Sequence, residues 1–452
     1  MESSSLALRS DGGMWRMSSA TESQRAKMLA DLFRGYDGPP FSIRVWNGWS
    51  WSFREQEVPV FSLVFEVPGA LDALVIEPSE LTLGEAFVRG DISIRGDIFA
   101  AFSLAEHVFN RPRAFRQRLL ENFARTFLSL RQWIGRGSRH SLGRDRSSIS
   151  IHYDQPLESF RPWLGRTMAY SCAYFRTPDD TLDAAQTQKL DLVCQKLRLQ
   201  PLNSVLDIGC GWGSLVLFAA ENYQVEALGI TLSCCQANVA KERIEQERLG
   251  QSCTVALRDY RDQASLPTRF DKIASIGMFE HVGLRGLPRY FEIAHRLLKP
   301  GGVFLNHGIA RSQGSPPRKA SFIDKHVFPD SELVTLSEAI RAAECAGFEV
   351  RDVENLREHY ELTLRHWVHG LERDAAAVLK HVSESTYRTW LLYMAGSAAA
   401  FRRGDLGVYQ LLLSRPDRGD SRLPLTREAW YSHGSCERNV LPSRQRELIG
   451  DR

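Results

Sequence analysis

Short apolar runs separated by helical patterns dominate the middle of the chain. Each run is rich in β-branched residues and suits a strand that is covered on both faces. Successive runs begin roughly 20 to 30 residues apart, which is the spacing of βαβ crossovers. The pattern therefore predicts an α/β fold with a mainly parallel sheet, whose strands lie at 205–208, 225–230, 254–257, 272–276 and 303–307.

The second strand is followed by a helix with clear end signals. Ser233 and Gln236 have the spacing of a capping box, and Gly250 marks the end of the helix. We therefore predict a helix over 233–249.

A different periodicity marks the beginning of the chain. Apolar and polar residues alternate over 41–46 and again over 49–53, on either side of Asn47-Gly48. Alternation around Asn-Gly predicts a β-hairpin. A further strand at 61–67 and a helix at 70–76 complete a small α+β domain. We place it at 38–134, after a polar leader at 1–37, and expect it to bind lipid or to form a homodimer.

Composition narrows the class of protein. Hydrophobic residues make up 43% and charged residues 25% of the chain, as in ordinary globular proteins. A net charge of +3 is too small to indicate a nucleic-acid partner. The most apolar segment, 391–401, is too short for a membrane span. Eight cysteines without regular spacing suggest reduced thiols and no metal site. We expect a cytoplasmic protein.

Arginine is concentrated between the two predicted domains. From Arg111 to Arg146 there are ten arginines and two acids, Glu121 and Asp145. Such a stretch either lies on an anionic membrane surface or forms a linker helix packed on the next domain. Both interpretations stay open here. We place a basic linker at 135–150, the main domain at 151–415 and an extension that is loosely packed or disordered at 416–452.

Three glycines follow the first predicted strand of the main domain, in the sequence Asp207-Ile-Gly-Cys-Gly-Trp-Gly213. A dinucleotide site would need a Gly-x-Gly-x-x-Gly spacing and an acid after the second strand, but that strand ends in Thr231. Both differences favour S-adenosylmethionine, which carries no phosphate. A glycine turn that only packs a helix is the alternative for this motif alone.

Further motifs add specificity. They are Tyr170-Ser-Cys172, Phe279-Glu-His281, His307-x-Ile309 and Tyr360. In this order they resemble the cyclopropane-fatty-acyl-phospholipid synthases and their mycolic acid relatives, which are class I S-adenosylmethionine methyltransferases. The resemblance spans about 150–415. Residues 78–92 resemble the N-terminal lipid-binding domain of the phospholipid enzymes.

The resemblance implies a fold and an activity. The fold is a Rossmann-like methyltransferase sheet with a smaller N-terminal lipid-binding domain. The activity is transfer of a methylene group to the cis double bond of unsaturated acyl chains in membrane phospholipids, by an enzyme peripheral on the inner face of the membrane. A bound bicarbonate would remove a proton from the intermediate carbocation. By resemblance its site is formed by Cys172, Glu280, His307, Ile309 and Tyr360.

The resemblance also implies the contacts of S-adenosylmethionine. Thr231 would bond a ribose hydroxyl, and Tyr260 would stack on the adenine. Asp207 would either touch the cofactor or cap the following helix. The full predicted set is Tyr170, Ser171, Asp207, Gly209, Gly211, Thr231, Leu232, Gln236, Tyr260 and Arg261.

One departure from the family pattern affects the product. Asn306 stands beside His307 where many relatives have leucine, and we expect it to add a donor to the anion site or to alter the pocket. We interpret His281 and His295 as structural.

Three other functions fit parts of the pattern. A methyl-branching or methylene-forming fatty-acyl methyltransferase would quench the same carbocation differently. A catalytically silent lipid- or cofactor-binding module would not need Cys172, Glu280, His307 and Tyr360 together. A methyltransferase for small molecules would not need the N-terminal domain or the arginine-rich stretch. The phospholipid cyclopropane synthase therefore stands as the leading prediction.

Overall fold

The computed structural model describes residues 20–76, 79–109, 155–263, 265, 267–314, 322–327 and 332–431. The described residues form two compact units. The smaller contains the residues up to Phe109 together with Phe322 and Glu384–Leu392, and the larger contains the rest. The arginine-rich stretch and the linker at 135–150 lie outside the described residues, so the predicted domain boundaries stay predictions.

The smaller unit is built on a four-stranded sheet in the order β2-β1-β3-β4. The predicted hairpin is confirmed, since Ile43 of β1 lies opposite Trp51 of β2 in antiparallel register. Phe33, Phe41 and Phe61 fill the core between this sheet and the helices. The elements are α1 Glu22–Leu32, β1 Phe41–Val45, β2 Ser50–Phe53, β3 Phe61–Phe65, α2 Pro68–Ile76, α3 Glu80–Arg89, β4 Ile92–Gly96 and α4 Ile98–Phe109.

The larger unit is built on a seven-stranded sheet in the order β10-β11-β9-β8-β5-β6-β7. The five strands predicted from the sequence are present and parallel, which confirms the fold class. Two further strands were not predicted, and the second of them, β11, is antiparallel to both neighbours. The strands are β5 Ser204–Ile208, β6 Glu226–Thr231, β7 Cys253–Leu257, β8 Phe270–Ile276, β9 Leu298–Arg311, β10 Glu349–Asn355 and β11 Leu406–Ser414.

Alternation along the strands divides the apolar core between the two faces of this sheet. Val205 packs with Val193 and Val216 on one face, whereas Leu206 packs with Phe291 and its neighbours on the other. The helices after residue 155 are α5 Leu157–Leu164, α6 Leu182–Leu197, α7 Ser214–Tyr223, α8 Cys234–Gln246, α9 Tyr260–Gln263, α10 Gly283–Leu297, α11 Phe322–His326, α12 Leu336–Cys345, α13 Arg357–Arg373, α14 Ala375–Val378, α15 Glu384–Arg403 and α16 Glu428–Tyr431.

Two sequence predictions about element ends were wrong. The helix predicted over 233–249 stops at Gln246, and its C-cap is Glu247 rather than Gly250. Strand β9 does not end at His307 but continues to Arg311, because β11 pairs with it along that length. In the described part of the predicted extension, 416–431, Trp430 is buried in the core of the larger unit, and the other residues are exposed or half-buried. In the described part of the chain, no helix has both the length and the apolar character needed to cross a membrane.

Candidate active site

The glycine turn after β5 opens the sheet edge to a ligand. Gly209 has a φ of +85°, and a Cβ there would lie 2.9 Å from the Cβ of Met278. Both facts require glycine at this position. Gly213 is the N-cap of α7, also with positive φ. Asp207, at the end of β5, is therefore not the cap of that helix, and the capping alternative is wrong.

A cavity of about 320 Å³ lies over this turn, and we call it the larger cavity. It sits at the carboxyl ends of the parallel strands, where open α/β sheets bind ligands. All ten residues predicted to contact S-adenosylmethionine line it. They are Tyr170, Ser171, Asp207, Gly209, Gly211, Thr231, Leu232, Gln236, Tyr260 and Arg261.

Thr231 holds the side chain of Gln236 in place at the wall of the larger cavity. Its hydroxyl donates to Oε1 of Gln236 at 3.0 Å and accepts the N–H of Ser233 at 3.3 Å. The hydroxyl thereby fixes the Gln236 amide, whose nitrogen lies beside Gly211. Ser233 also caps α8 by accepting the N–H of Gln236 at 3.2 Å. Thr231 therefore has an orienting role that the sequence prediction did not include.

Tyr260 and Arg261 are held by an acid that the site prediction omitted. Asp259 is 1% exposed and forms a bidentate pair with Arg261, with N–O distances of 2.8 and 2.7 Å. The guanidinium lies 5.4 Å from the centre of the Tyr260 ring. A bidentate pair fixes a guanidinium in one plane. The Tyr260 ring is thus supported at the cavity wall.

Lys189 was missed by the sequence prediction. It lies on α6, is fully buried, lines the larger cavity and donates to Oγ of Ser171 at 3.0 Å. Burial lowers its pKa to about 8, although the neighbouring Asp207 raises it. The pKa of Asp207 is raised to about 7 by burial, although Lys189 lowers it. Oδ1 of Asp207 has no hydrogen-bond partner among the described residues, so it is available to a ligand.

A second cavity, of about 110 Å³, adjoins the first and is called the smaller cavity. It contains all five residues predicted to hold bicarbonate. The two cavities share Tyr170, Ser171, Gly277 and His281 in their walls. The structural role assigned to His281 is therefore incomplete, because this residue faces both cavities. The predicted residues on the smaller cavity are Cys172, Glu280, His307, Ile309 and Tyr360.

Glu280 and His307 each bring one unsatisfied polar atom to the smaller cavity. Glu280 follows β8 in a short 3-10 helix, and its Oε1 accepts the N–H of Ile309 at 2.8 Å. Burial raises its pKa to about 7. His307 lies in β9, and burial together with the charges of Lys189 and Lys196 lowers its pKa to about 3. Oε2 of Glu280 and Nε2 of His307 have no protein partner in the described part of the chain.

Cys172 and Tyr360 complete the wall. Cys172 is 1% exposed, and its Sγ donates to the carbonyl of Ala173 at 3.2 Å. Burial raises its pKa above that of an ordinary thiol, so it stays protonated. Tyr360 lies on α13 with its ring centre 4.8 Å from that of Phe401. Neither residue is an activated nucleophile in this arrangement.

Asn306 does not belong to the smaller cavity, and the role predicted for it was wrong. Successive side chains of a strand point to opposite faces, so Asn306 faces away from His307. Its Oδ1 accepts the hydroxyl of Tyr290 at 2.7 Å in a buried contact. Residues that the prediction missed in the wall include Tyr393 and Ser397 of α15. They lie in the apolar segment 391–401, and the only sequence signal for them is that a tyrosine and a serine occur among apolar residues.

Two family models match parts of this chain. The model of the family described as mycolic acid cyclopropane synthetase matches residues 140–411, and a domain of unknown function matches residues 28–117. A Pseudomonas putida protein named "Probable fatty acid methyltransferase" is 38% identical over 87% of this chain and 96% of its own length.

Two further relatives point the same way. The cyclopropane-fatty-acyl-phospholipid synthase of Escherichia coli K12 is 35% identical over 75% of this chain and 85% of its own. The crystal structure of mycolic acid cyclopropane synthase CmaA1, complexed with SAH and CTAB, superposes with a TM-score of 0.56 at 35% identity. It covers 59% of this chain and 97% of that one.

Proposed function

The chain belongs to the mycolic acid cyclopropane synthetase family, and from this membership we propose that it converts unsaturated acyl chains of membrane phospholipids into cyclopropane acyl chains. The methylene group comes from S-adenosylmethionine. The observation that carries the proposal is the pair of adjoining cavities with a common wall at Tyr170 and Ser171. Methyl transfer needs a donor and an acceptor in two neighbouring sites, with the reacting carbons in contact.

The proposed reaction accounts for every bond. The π electrons of the alkene attack the methyl carbon, the sulfur–carbon bond breaks, and S-adenosylhomocysteine leaves with that electron pair. The resulting carbocation loses a proton from the transferred methyl group, and the freed pair closes the ring. A carbocation survives only where water is excluded. The apolar side chains of Leu364, Phe401 and Val408 in the smaller cavity suit that requirement.

The larger cavity suits a ligand with a cationic centre and hydroxyl groups. Asp207 offers a buried carboxylate oxygen without a partner, and Gln236 offers an amide. Lys189 bonds Ser171, which holds the common wall in place. The chemistry of these groups fits the amino acid and ribose portions of S-adenosylmethionine.

The smaller cavity has the polar groups that a small oxyanion with a hydroxyl would need. Nε2 of His307 and Oε2 of Glu280 are both unpartnered there, and the N–H of Ile309 is bonded to Glu280. Bicarbonate bound by Cys172, Glu280, His307, Ile309 and Tyr360 would supply the base for the proton. Glu280 would accept a hydroxyl or donate its own proton, since its pKa lies near neutrality.

A second function is favoured by one specific comparison. The Pseudomonas putida relative carries the name of a fatty acid methyltransferase rather than of a cyclopropane synthase. The same carbocation gives an exocyclic methylene when a 1,2-hydride shift moves the charge to the methylated carbon and the methyl group then loses a proton. Loss of a proton from the chain carbon beside the cation gives a methyl-branched alkene instead. The position of the base relative to the transferred methyl group decides between these outcomes.

Lipid analysis in a bacterium without cyclopropane lipids tests the proposal. The chain would be expressed there, and the phospholipid acyl chains analysed by mass spectrometry and proton NMR. We expect products heavier by one CH₂ unit, with loss of the double bond and high-field ring protons. A methyl doublet or an exocyclic methylene signal would favour the second function. Unchanged acyl chains would overturn both.

A further inference from the structure

A line of buried polar side chains runs away from the smaller cavity, from His307 through Gln410 to Lys196. We infer that Gln410 and Lys196 are positioning residues that fix His307 as the Nε2–H tautomer. The only N–H group of the ring then points at the ligand of the smaller cavity. This inference rests on the proposed function for its catalytic meaning. The tautomer itself follows from the contacts alone.

Strand register brings the three sheet residues into one row. Gln410 of β11 lies directly opposite His307 of β9, and Glu354 of β10 lies directly opposite Gln410. Directly opposite residues of neighbouring strands point to the same face of a sheet. Helix α6 covers this face and places the fully buried Lys196 over the row.

The ammonium group of Lys196 is fixed in position by its contacts. Its ammonium group is bonded to the carboxylate of Glu354 and lies 3.7 Å from Oδ2 of Asp352. It also lies 5.7 Å from the centre of the Trp430 ring. A buried ammonium in contact with two carboxylates and an aromatic face is held in one position.

The position of Lys196 determines which way the Gln410 amide faces. An ammonium group has three donors and no acceptor. The Gln410 atom that lies 2.8 Å from Nζ of Lys196 is therefore the oxygen, Oε1. The amide nitrogen is left on the opposite side, 3.2 Å from Nδ1 of His307.

The direction of the amide in turn determines the protonation of His307. An amide nitrogen only donates, so Nδ1 must accept and cannot carry a proton. Burial and the charges of Lys189 and Lys196 lower the pKa of His307 to about 3, so the ring is neutral near pH 7. A neutral imidazole with a bare Nδ1 carries its proton on Nε2.

This arrangement is the opposite of a histidine base held by a carboxylate. A carboxylate at Nδ1 would accept a hydrogen bond from Nδ1–H and stabilise an imidazolium. Gln410 cannot do so, and Lys196 opposes a positive ring. His307 is therefore a hydrogen-bond donor to the ligand and not the base, which agrees with its unpartnered Nε2 at the cavity wall.

Nitrogen-15 NMR of the full chain, labelled in histidine, tests the tautomer at pH 7. The His307 signals would be assigned by their loss in His307→Gln. We expect a protonated, pyrrole-like Nε2 and a bare, pyridine-like Nδ1. A protonated Nδ1, whether in a neutral ring or in an imidazolium, would overturn the inference.

Gln410→Glu provides the decisive variant. Glutamate accepts where glutamine donates, so a proton should appear on Nδ1, and kcat for lipid methylation should fall by about a hundredfold, as for loss of one transition-state donor. Gln410→Met, which leaves Nδ1 without a donor, should give a mixture of tautomers. Ser414→Ala on the same strand, also buried, is the matched control and should leave the His307 signals unchanged.

The outcomes separate this inference from the proposed function. If Gln410→Glu leaves both the tautomer and kcat unchanged, the positioning role is overturned. If Gln410→Glu does not fold, the wild-type spectrum and that of Gln410→Met still decide the question. If the wild-type protein shows the expected tautomer but methylates no lipid, the proposed function fails and the assignment of the proton is supported.

Discussion

The two cavities share a wall but are assembled in different ways. The larger cavity is built mostly from the turns that directly follow β5, β6 and β7, so its residues lie in short, contiguous motifs. The smaller cavity draws Cys172, Glu280, His307 and Tyr360 from four distant parts of the chain, and α15 adds Tyr393. The shape of the larger cavity thus depends on local backbone conformation, whereas that of the smaller cavity depends on long-range packing. Substitutions in the two cavities should therefore separate affinity from turnover.

The largest expected effect is on turnover, in Glu280→Gln. The amide oxygen can still accept the N–H of Ile309, but the side chain can no longer hold a negative charge or share a proton with a ligand. We expect kcat to fall about a hundredfold or more. Calorimetric titration with S-adenosylhomocysteine should show unchanged affinity.

Glu292→Gln on the exposed face of α10 is the control for this change and should retain full activity. If Glu280→Gln turned over at the wild-type rate, Glu280 would be removed from the reaction. If it lost affinity for S-adenosylhomocysteine instead, the two cavities would not be separable.

Gly209→Ala should damage the larger cavity in the complementary way. The new methyl group would meet Met278, and alanine is strained at a φ of +85°. We expect affinity for S-adenosylhomocysteine to fall at least about tenfold, measured by the same titration.

Gly250→Ala is the matched control, because its Cβ would meet nothing within 4 Å and its φ is not in the left-handed region. An unchanged affinity in Gly209→Ala would show that the turn does not touch the methyl donor.

The pH dependence of stability sharpens the comparison within the smaller cavity. Burial raises the pKa of Glu280 from 4.5 to about 7, so the folded protein retains a proton that the unfolded chain releases. The stability that this provides is complete below pH 4.5 and is lost as the pH rises through 7. Relative to wild type, Glu280→Gln should gain up to about 3 kcal/mol in unfolding free energy between pH 4.5 and 8.

Urea unfolding of both proteins at several pH values measures this difference. A difference that stays constant with pH would mean that the Glu280 carboxyl has an ordinary pKa.

The smallest expected effect on the reaction is that of Asn306→Leu. Asn306 faces Tyr290 and not the cavity, so kcat and the ring-to-branch ratio should not change. The Tyr290 hydroxyl loses an acceptor, which should cost about 1 kcal/mol of unfolding free energy. Tyr290→Phe should cost a similar amount, and the two losses should not add in the double variant. A changed product ratio would return Asn306 to the site.

The contrast between the cavities also explains what the sequence could predict. Glycine spacing, Thr231 and the Asp259-Tyr-Arg261 segment lie close together in sequence, and the structure brings all ten predicted residues to one cavity. The five parallel strands were predicted because each is a continuous apolar run. By contrast, β10 and β11 carry polar residues such as Glu354 and Gln410, whose buried partners come from distant segments.

The burial of Lys189 and Lys196 could have been predicted from the sequence. Lys189 and Lys196 are seven residues apart on α6, which places them on one face of the helix. That face also carries Leu192 and Val193 at nearby positions and packs on the sheet. Lysines that repeat with the core period of a helix indicate buried charges with partners. The pattern was visible in the sequence, but the partners Ser171 and Gln410 were not.

The place of β11 in the chain has a consequence for biosynthesis. It is the last strand to be translated of the seven in its sheet, yet it lies between β9 and β10 and carries Gln410. The glycine turn, Glu280 and His307 have already been synthesised when this strand emerges from the ribosome. A chain interrupted before residue 406 would thus possess the glycine turn but lack the contact of Gln410 with His307. Completion of the sheet and contact of Gln410 with His307 thus become a single event.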